Sequence, residues 1–372
     1  MLKAAIVGCG KIADEHAQLL LRIEGASLAG FCDRELLMAR QMHERFNGAP
    51  YFDDVDELLR TVKPDVVHVT TPPQSHFELT RRCLAAGCHV YVEKPFTIDA
   101  AEAKCLIDDA TARGLKITVG HHLMFTDPAV RMRALISGGF LGGLPVHAES
   151  YYCYDLGEPG YAKAFLADSS HWVRQLPGGL LQNIISHGIS RIAEHLKGDA
   201  PTVLARGFTS QLLRNLGEHE IVDELRVIIE DAGTTAYFTF SSQMRPQLSQ
   251  FRIFGSRNGL IIDDHQHALI RLNGRRHKSY LENFAAPGSL ASQYAAATAS
   301  NVFNFLSWRL HMSEGMKRLI ETFYRSIVHG EPLPMSYREI LLTTRIMDAI
   351  FEQVNGQRSS RLSEAVAPLT SR

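Results

Sequence analysis

"KAAIVGCGKIA", residues 3 to 13, decides the fold. Ala4 to Val7 form an apolar run that reads as a buried strand, and helix-forming sequence starts at Lys11. Between them Gly8, Gly10 and Ala13 stand as Gly-x-Gly-x-x-Ala. The small residues have a steric purpose. Gly8 allows a tight turn, Gly10 lets the backbone approach a pyrophosphate, and Ala13 lets the helix pack close to the sheet. The N-terminus of the helix, through Lys11, Ile12 and Ala13, then offers free N–H groups to phosphates.

The surrounding 120 residues repeat the same alternation. "KAAIVG", "SLAGFCD", "DVVHVTT", "CHVYVEK" and "LKITVGH" are short β-rich runs. Helical stretches are expected at 11–24, 34–46, 53–62, 74–86 and 99–113, with Gly48, Gly87 and Gly114 as C-caps and Asp99 or Thr97 opening the last. Strands alternating with helices of this length predict a parallel sheet covered on both faces. Asp33 ends the second strand 20 residues after Ala13, where a carboxylate binds ribose hydroxyls. Arg34, next to it, is placed to pair with a 2′-phosphate, so NAD is the expected cofactor and NADP an alternative.

In open α/β sheets the ligand lies outside the carboxyl ends of the strands. One strand ends on Thr70 and Thr71, followed by Pro72 and Pro73; the next ends on Glu93, Lys94 and Pro95. Both tips belong to the same crevice. Successive strand residues point to opposite faces, so Glu93 and Lys94 are not expected to form a simple ion pair; one should face the ligand and the other the scaffold.

The pattern changes after residue 122. A helix near 127–137 leads into "LPVHAESYYCY". Antiparallel strands follow at "LRVIIED", "TTAYFTF", "FRIFG", "GLIIDD" and "ALIRL", the last turning at Asn273-Gly274, a hairpin signal. Two helices, 314–329 and 337–354, are expected to close the chain. The fold class is therefore α/β, with a parallel-sheet domain at 1–122 and an α+β domain at 123–372 built on a mostly antiparallel sheet. At 372 residues, two domains fit the length.

Composition excludes several classes. With 45% hydrophobic and 21% charged residues and a formal charge of −1, the chain has no field for nucleic acid or anionic membrane. No apolar stretch approaches the roughly 20 residues of a membrane span. Met1 runs straight into a strand without a leader-like segment, so the cytoplasm is the expected location. The six cysteines lack a Cys-x-x-Cys pair and read as reduced core residues. "DDHQH" at 263–267 is expected to be a polar turn, and no metal is expected.

"GCGKIA", Asp33, "TTPPQSH" with His76, "EKP", and "GGLLQNIISHGISRIAEHL" at 178–196 together resemble the glucose–fructose oxidoreductase, inositol dehydrogenase and rhizopine-catabolism (Gfo/Idh/MocA) family of nicotinamide-dependent oxidoreductases. The resemblance implies a Rossmann domain followed by an open-faced sheet domain, with the active site between them. It implies Lys94 as the catalytic lysine, placed by Glu93 and Pro95, and a dimer or tetramer. The family's second-domain helix usually reads Asp-x-Gly-x-His. Here His187 keeps the histidine, while Asn183 and Ile185 replace the aspartate and glycine. Asparagine can hold a hydroxyl but cannot take its proton. That work would pass to His187.

On a helical wheel Leu181, Ile185, Ile189, Ile192 and Leu196 form the core stripe, with Asn183 and His187 opposite. A lysine beside an oxidised nicotinamide ring loses solvation and meets a like charge, and both lower its pKa. His122, Trp172, Asn183 and His187 are the expected substrate contacts, with Tyr151, Tyr152 and Tyr154 as candidate stacking surfaces. His121 and His122 point to opposite faces and do not share a metal. The expected function is hydride transfer between NAD(P) and a carbon bearing a hydroxyl or carbonyl of a sugar, cyclitol or nucleotide sugar. The alternatives are an NAD-dependent glycosidase of the same fold and a non-catalytic dinucleotide-responsive binding protein.

Overall fold

The computed structural model describes residues 1–46, 48–156, 166, 168–275, 278–307 and 313–366. The chain divides into two compact units, Met1–Thr126 with His311–Thr344, and Asp127–Leu310 with Arg345–Arg372.

In the first unit β1 (Leu2–Val7), β2 (Ala26–Cys32), β3 (Tyr51–Phe52), β4 (Val66–Val69), β5 (His89–Val92) and β6 (Ile117–Val119) form one sheet in the order β3-β2-β1-β4-β5-β6. Every pairing is parallel. Covered on both faces, β4 and the end of β5 are continuously buried, as parallel strands require. The connecting helices are α1 (Lys11–Leu20), α2 (Leu36–Arg45), α3 (Val55–Val62), α4 (His76–Ala85) and α5 (Ala100–Ala112), each slightly shorter than the sequence pattern. Asp99 caps α5 by accepting the Glu102 N–H at 2.8 Å. Gly48, Gly87 and Gly114 all take positive φ after their helices. The strand order reverses between β1 and β4, a topological switch point.

α6 (Asp127–Ser137), α7 (Gly179–Ile184), α8 (Ser186–Ala193), α9 (Gln211–Asn215) and α10 (Ser279–Leu306) belong to the second unit. Its sheet runs β13-β12-β11-β7-β10-β9-β8, from β7 (His147–Cys153), β8 (Thr202–Phe208), β9 (Glu224–Asp231), β10 (Thr234–Ser241), β11 (Ser249–Phe254), β12 (Gly259–Asp263) and β13 (Ala268–Leu272). The β7–β10 pair is parallel and the others are antiparallel. β8 and β9 alternate buried and exposed residues, so one face of the sheet is open.

Three expectations are corrected. Asn273-Gly274 is not a hairpin: β13 is the last strand, the Gly274 N–H donates to Asn258 Oδ1 at 2.9 Å, and the chain enters α10. Arg276 and His277 lie outside the described residues. The helix over 178–196 is interrupted at Ile185 into α7 and α8, although its predicted apolar stripe is buried throughout. α11 (Glu314–His329), assigned from sequence to the second domain, lies in the first unit, because Leu319, Ile320 and Phe323 are wholly buried in that unit's core. The final helix, α12 (Tyr337–Val366), extends beyond its expected end. All six cysteines are free, and all but Cys105 are buried.

Candidate active site

The glycine loop is built by close packing against β4. Gly8 has φ +98°, and a Cβ there would lie 2.6 Å from Thr71 Cγ2 and 2.7 Å from the Thr71 nitrogen. Its own N–H donates to the Cys32 carbonyl at 2.8 Å, while the Thr70 hydroxyl donates to the Gly8 carbonyl at 2.5 Å. Gly10 is different: a Cβ there would meet nothing within 4 Å. Gly10 precedes α1 with no side-chain cap on the helix, and the Ala13 N–H donates to the Gly10 carbonyl at 3.0 Å. Ala13 is wholly buried; Lys11 is exposed and Ile12 half-buried.

Asp33 is held at the end of β2. One oxygen accepts the Cys9 N–H at 2.7 Å and the other accepts the Glu35 N–H at 3.0 Å, fixing the carboxylate beside the loop. Arg34 is exposed. A close-approach glycine over free space, an uncapped helix terminus and a fixed carboxylate one strand away fit a dinucleotide's pyrophosphate and ribose.

At the neighbouring tips, the Ser75 hydroxyl donates to Thr71 Oγ1 at 2.7 Å, and Pro72 is exposed. His76 is wholly buried; its ring nitrogens lie 2.9 Å from the Pro95 carbonyl and 2.8 Å from the Thr71 carbonyl. It fastens the tip of β4 to that of β5 rather than offering a face to a ligand.

Glu93 and Lys94 differ in burial. Glu93 is buried: its Oε1 meets His16 Nε2 at 3.0 Å and its Oε2 accepts the Lys94 N–H at 3.2 Å. Burial alone would raise its pKa. The His16 hydrogen bond and charge, with the charges of Lys94 and His122, outweigh that and bring it to about 2. Lys94 is half-exposed, yet protein surrounds its ammonium closely enough that desolvation lowers its pKa below the ordinary lysine value, against the opposing pull of Glu93. His121 is buried, with burial pushing it down to about 3; neither ring nitrogen has a hydrogen-bond partner among the described residues. His122 is half-buried.

In the second unit, α8 is drawn against β10 and β7. A Cβ on Gly188 would lie 2.3 Å from Phe238 Cε2, so only glycine permits this approach. His187 is buried with its ring 5.4 Å from that of Tyr152, and Asn183 is half-exposed one turn earlier. Trp172 is half-buried, in a short 3₁₀ turn ahead of α7. Arg191, also on α8, pairs with both oxygens of Asp264, and Asp263 accepts from Gln250 at 2.6 Å. The carboxylates of the "DDHQH" segment are thus engaged within the fold.

Sequence reasoning missed His16, His68 and Tyr324, which lie behind Glu93. A histidine inside the otherwise apolar run "VVHV" was the available signal, since a buried imidazole needs partners.

A parallel 3-2-1-4-5-6 sheet with a glycine loop at its switch point and a carboxylate at the end of β2 defines a dinucleotide-binding Rossmann unit. Residues 2–121 match the model of the Gfo/Idh/MocA group, described as the oxidoreductase family with an NAD-binding Rossmann fold. The chain is 34% identical over 146 residues to D-glucoside 3-dehydrogenase of Escherichia coli (strain K12), covering 39% of this chain and 42% of that one. It is 33% identical over 149 residues to UDP-N-acetylglucosamine 3-dehydrogenase of Acidithiobacillus ferrooxidans, covering 40% of this chain and 44% of that one. These matches span under half the length of either relative. A crystal structure of the WlbA dehydrogenase from Bordetella pertussis, in complex with NADH and UDP-GlcNAcA, superposes with a TM-score of 0.75 over 96% of both chains at 17% identity, a likeness of fold. No helix among the described residues is long and apolar enough to cross a membrane.

Proposed function

We propose that this chain is a cytoplasmic, homo-oligomeric dehydrogenase or reductase that moves a hydride between NAD and a carbon bearing a hydroxyl or carbonyl of a sugar, cyclitol or nucleotide sugar. The observation that carries the reading is a lysine with a burial-lowered pKa at the same sheet edge as the glycine loop. The names of the sugar-dehydrogenase relatives support the substrate class.

In this reading Gly8, Gly10 and the backbone of Lys11, Ile12 and Ala13 hold the pyrophosphate. Asp33 holds the ribose; its negative charge there favours NAD over NADP, with Arg34 as the exposed alternative partner of a 2′-phosphate. Thr70, Thr71 and Pro72 border the site, and His76 keeps their strand tip in register with Lys94. Bound there, the nicotinamide ring supplies the hydride acceptor or donor. Lys94, as neutral amine, accepts the hydroxyl proton during oxidation; as ammonium, it returns that proton during reduction. Its lowered pKa makes both forms accessible nearer neutrality. Asn183 orients a substrate hydroxyl through its amide without exchanging a proton, and His187 is the second proton carrier. His122 and Trp172 complete the substrate contacts.

The test is incubation with NAD and a panel of sugars, cyclitols and nucleotide sugars, followed at the reduced-nicotinamide absorbance band. Substrate-dependent reduction is expected. Free sugar released without accumulated reduced cofactor would instead make the chain an NAD-dependent glycosidase. Tight NAD binding with no turnover across the panel would make it a dinucleotide-responsive binding protein.

A further inference from the structure

Behind Glu93 runs a line of buried polar side chains that the proposed chemistry does not use. Glu93 Oε1 lies 3.0 Å from His16 Nε2, His16 Nδ1 lies 2.8 Å from His68 Nδ1, and His68 Nε2 lies 3.0 Å from the Tyr324 hydroxyl. His16 and His68 are 0% exposed, Tyr324 4% and Glu93 6%. The line joins α1, β4, β5 and α11, all in the first unit. Tyr91 stacks on His68 with ring centroids 5.0 Å apart and meets His16 edge-on at 5.0 Å, which limits both rings to one orientation.

The proton at the Glu93 end is fixed by chemistry. A carboxylate only accepts, so His16 Nε2 carries the proton that faces Glu93. From there one proton lies between His16 Nδ1 and His68 Nδ1, and one between His68 Nε2 and the Tyr324 hydroxyl. Each of the four ring nitrogens has a polar partner within 3.0 Å. Burial holds His68 well below the ordinary histidine range, which keeps it neutral at the centre of this line. A line of such groups in a dry interior is costly unless complete, and this one is complete.

At its other end the carboxylate is equally confined. Oε2 accepts the Lys94 N–H, and a Cβ on Gly120 would lie 2.7 Å from Oε1. We propose that His16, oriented by His68 and Tyr324, is a positioning residue for Lys94: it fixes Glu93 as a permanent anion, against which the Lys94 amine gains and loses its proton. Other titratable groups reach this spot from each packed element: His76 from α4, Tyr91 on β5, and His121 and His122 beyond β6. Burial lowers His76 and His121 and raises Tyr91. His16 is the member that bonds the carboxylate directly.

The functional meaning rests on Lys94 as proton carrier, but the test does not. Lys94 titration is read by the pH dependence of its labelling with an amine-selective reagent, quantified by peptide mass spectrometry without substrate. Two variants divide the two nitrogens of His16. In His16→Gln the amide reaches the Nε2 position and keeps a donor on Glu93; in His16→Asn it reaches only the Nδ1 position and keeps His68 alone. Loss of the donor releases the carboxylate from its fixed place beside Lys94 and weakens its pull on the ammonium. The Lys94 midpoint in His16→Asn is therefore expected to fall by about one pH unit or more. Labelling at a fixed pH below the midpoint would then be about tenfold faster. His16→Gln is expected to titrate like the parent. An unmoved midpoint in His16→Asn, or an equal fall in both variants, overturns the proposal. If neither variant folds, Tyr324→Phe decides: a fall in the same direction supports the proposal and an unchanged midpoint overturns it. Absence of dehydrogenase activity would sink the proposed function and leave this titration standing.

Discussion

The two loop glycines separate structure from binding, and single methyl groups test the separation. At Gly8 an alanine meets φ +98°, a conformation that costs a side chain about 1–3 kcal/mol. Its Cβ also lies under 3 Å from the backbone of Thr70 and Thr71, which cannot step aside as a flexible side chain would. Overpacking of this kind adds about 1–3 kcal/mol. Gly8→Ala should therefore lose about 2–6 kcal/mol, a large part of an ordinary domain's 5–15 kcal/mol. Gly10 sits at φ −78° with open space around it, where alanine is conformationally compatible and is expected to raise stability by about 0.4–1 kcal/mol. Yet the methyl would stand where the backbone must approach the pyrophosphate. Thermal melting without ligand and calorimetric titration with NAD measure the two properties independently. The expected result is a Gly10→Ala variant slightly more stable than its parent that binds NAD at least about tenfold more weakly, about 1.4 kcal/mol. Unchanged NAD affinity in Gly10→Ala would refute the placement of the pyrophosphate. An unchanged melting temperature in Gly8→Ala would refute the steric reading of the loop.

Acid should destabilise the first unit in two stages. His68, His76 and His121 are held below their ordinary pKa by burial, so the unfolded chain binds protons that the native one does not as pH falls through about 6.5. Each contributes a loss of up to about 1.4 kcal/mol per pH unit, seen by urea denaturation, and His68→Gln should reduce the slope. Glu93, at about 2 against 4.5 unfolded, adds stability that is complete above about pH 4.5 and lost as the pH falls toward 2; the drop is worth about 3 kcal/mol. A stability flat from pH 7 to 4 would contradict the histidine assignments, and one flat from pH 4 to 2 the Glu93 assignment. On the open sheet face, Leu204, Ile228 and Tyr237 lie opposite one another across three strands and are 60%, 48% and 49% exposed. Such a row is a subunit contact in the proposed oligomer, so Ile228→Asp should yield a monomer by light scattering. A monomeric parent at micromolar concentration would rule that interface out.

The first unit was legible because its rules are local. Buried runs marked the strands, Asp99 and three glycines marked helix ends, and Asp33 and Lys94 fell at strand tips where the topology brings them to one edge. What escaped depends on distant packing. α11 returns to the first unit because its Leu319, Ile320 and Phe323 match that core, a fit no local pattern records. α10 was missed because Pro287-Gly288 reads as a break although the helix continues through it. Asn273-Gly274 carried a hairpin signal, but the Gly274 amide is taken by Asn258 and no strand follows among the described residues. His16 and Tyr324 are separated by hundreds of residues and share a hydrogen-bonded line only once the sheet is assembled. Their chemistry was visible in the letters; their adjacency was not.

The central claim is that the Lys94 amine carries the proton that accompanies hydride transfer. The most direct measurement is a single-turnover reaction of Lys94→Met, with NAD affinity determined on the same preparation. The expected result is an affinity near the parent's and hydride transfer slowed at least about 100-fold. Hydride transfer at the parent's rate in that variant would contradict the account.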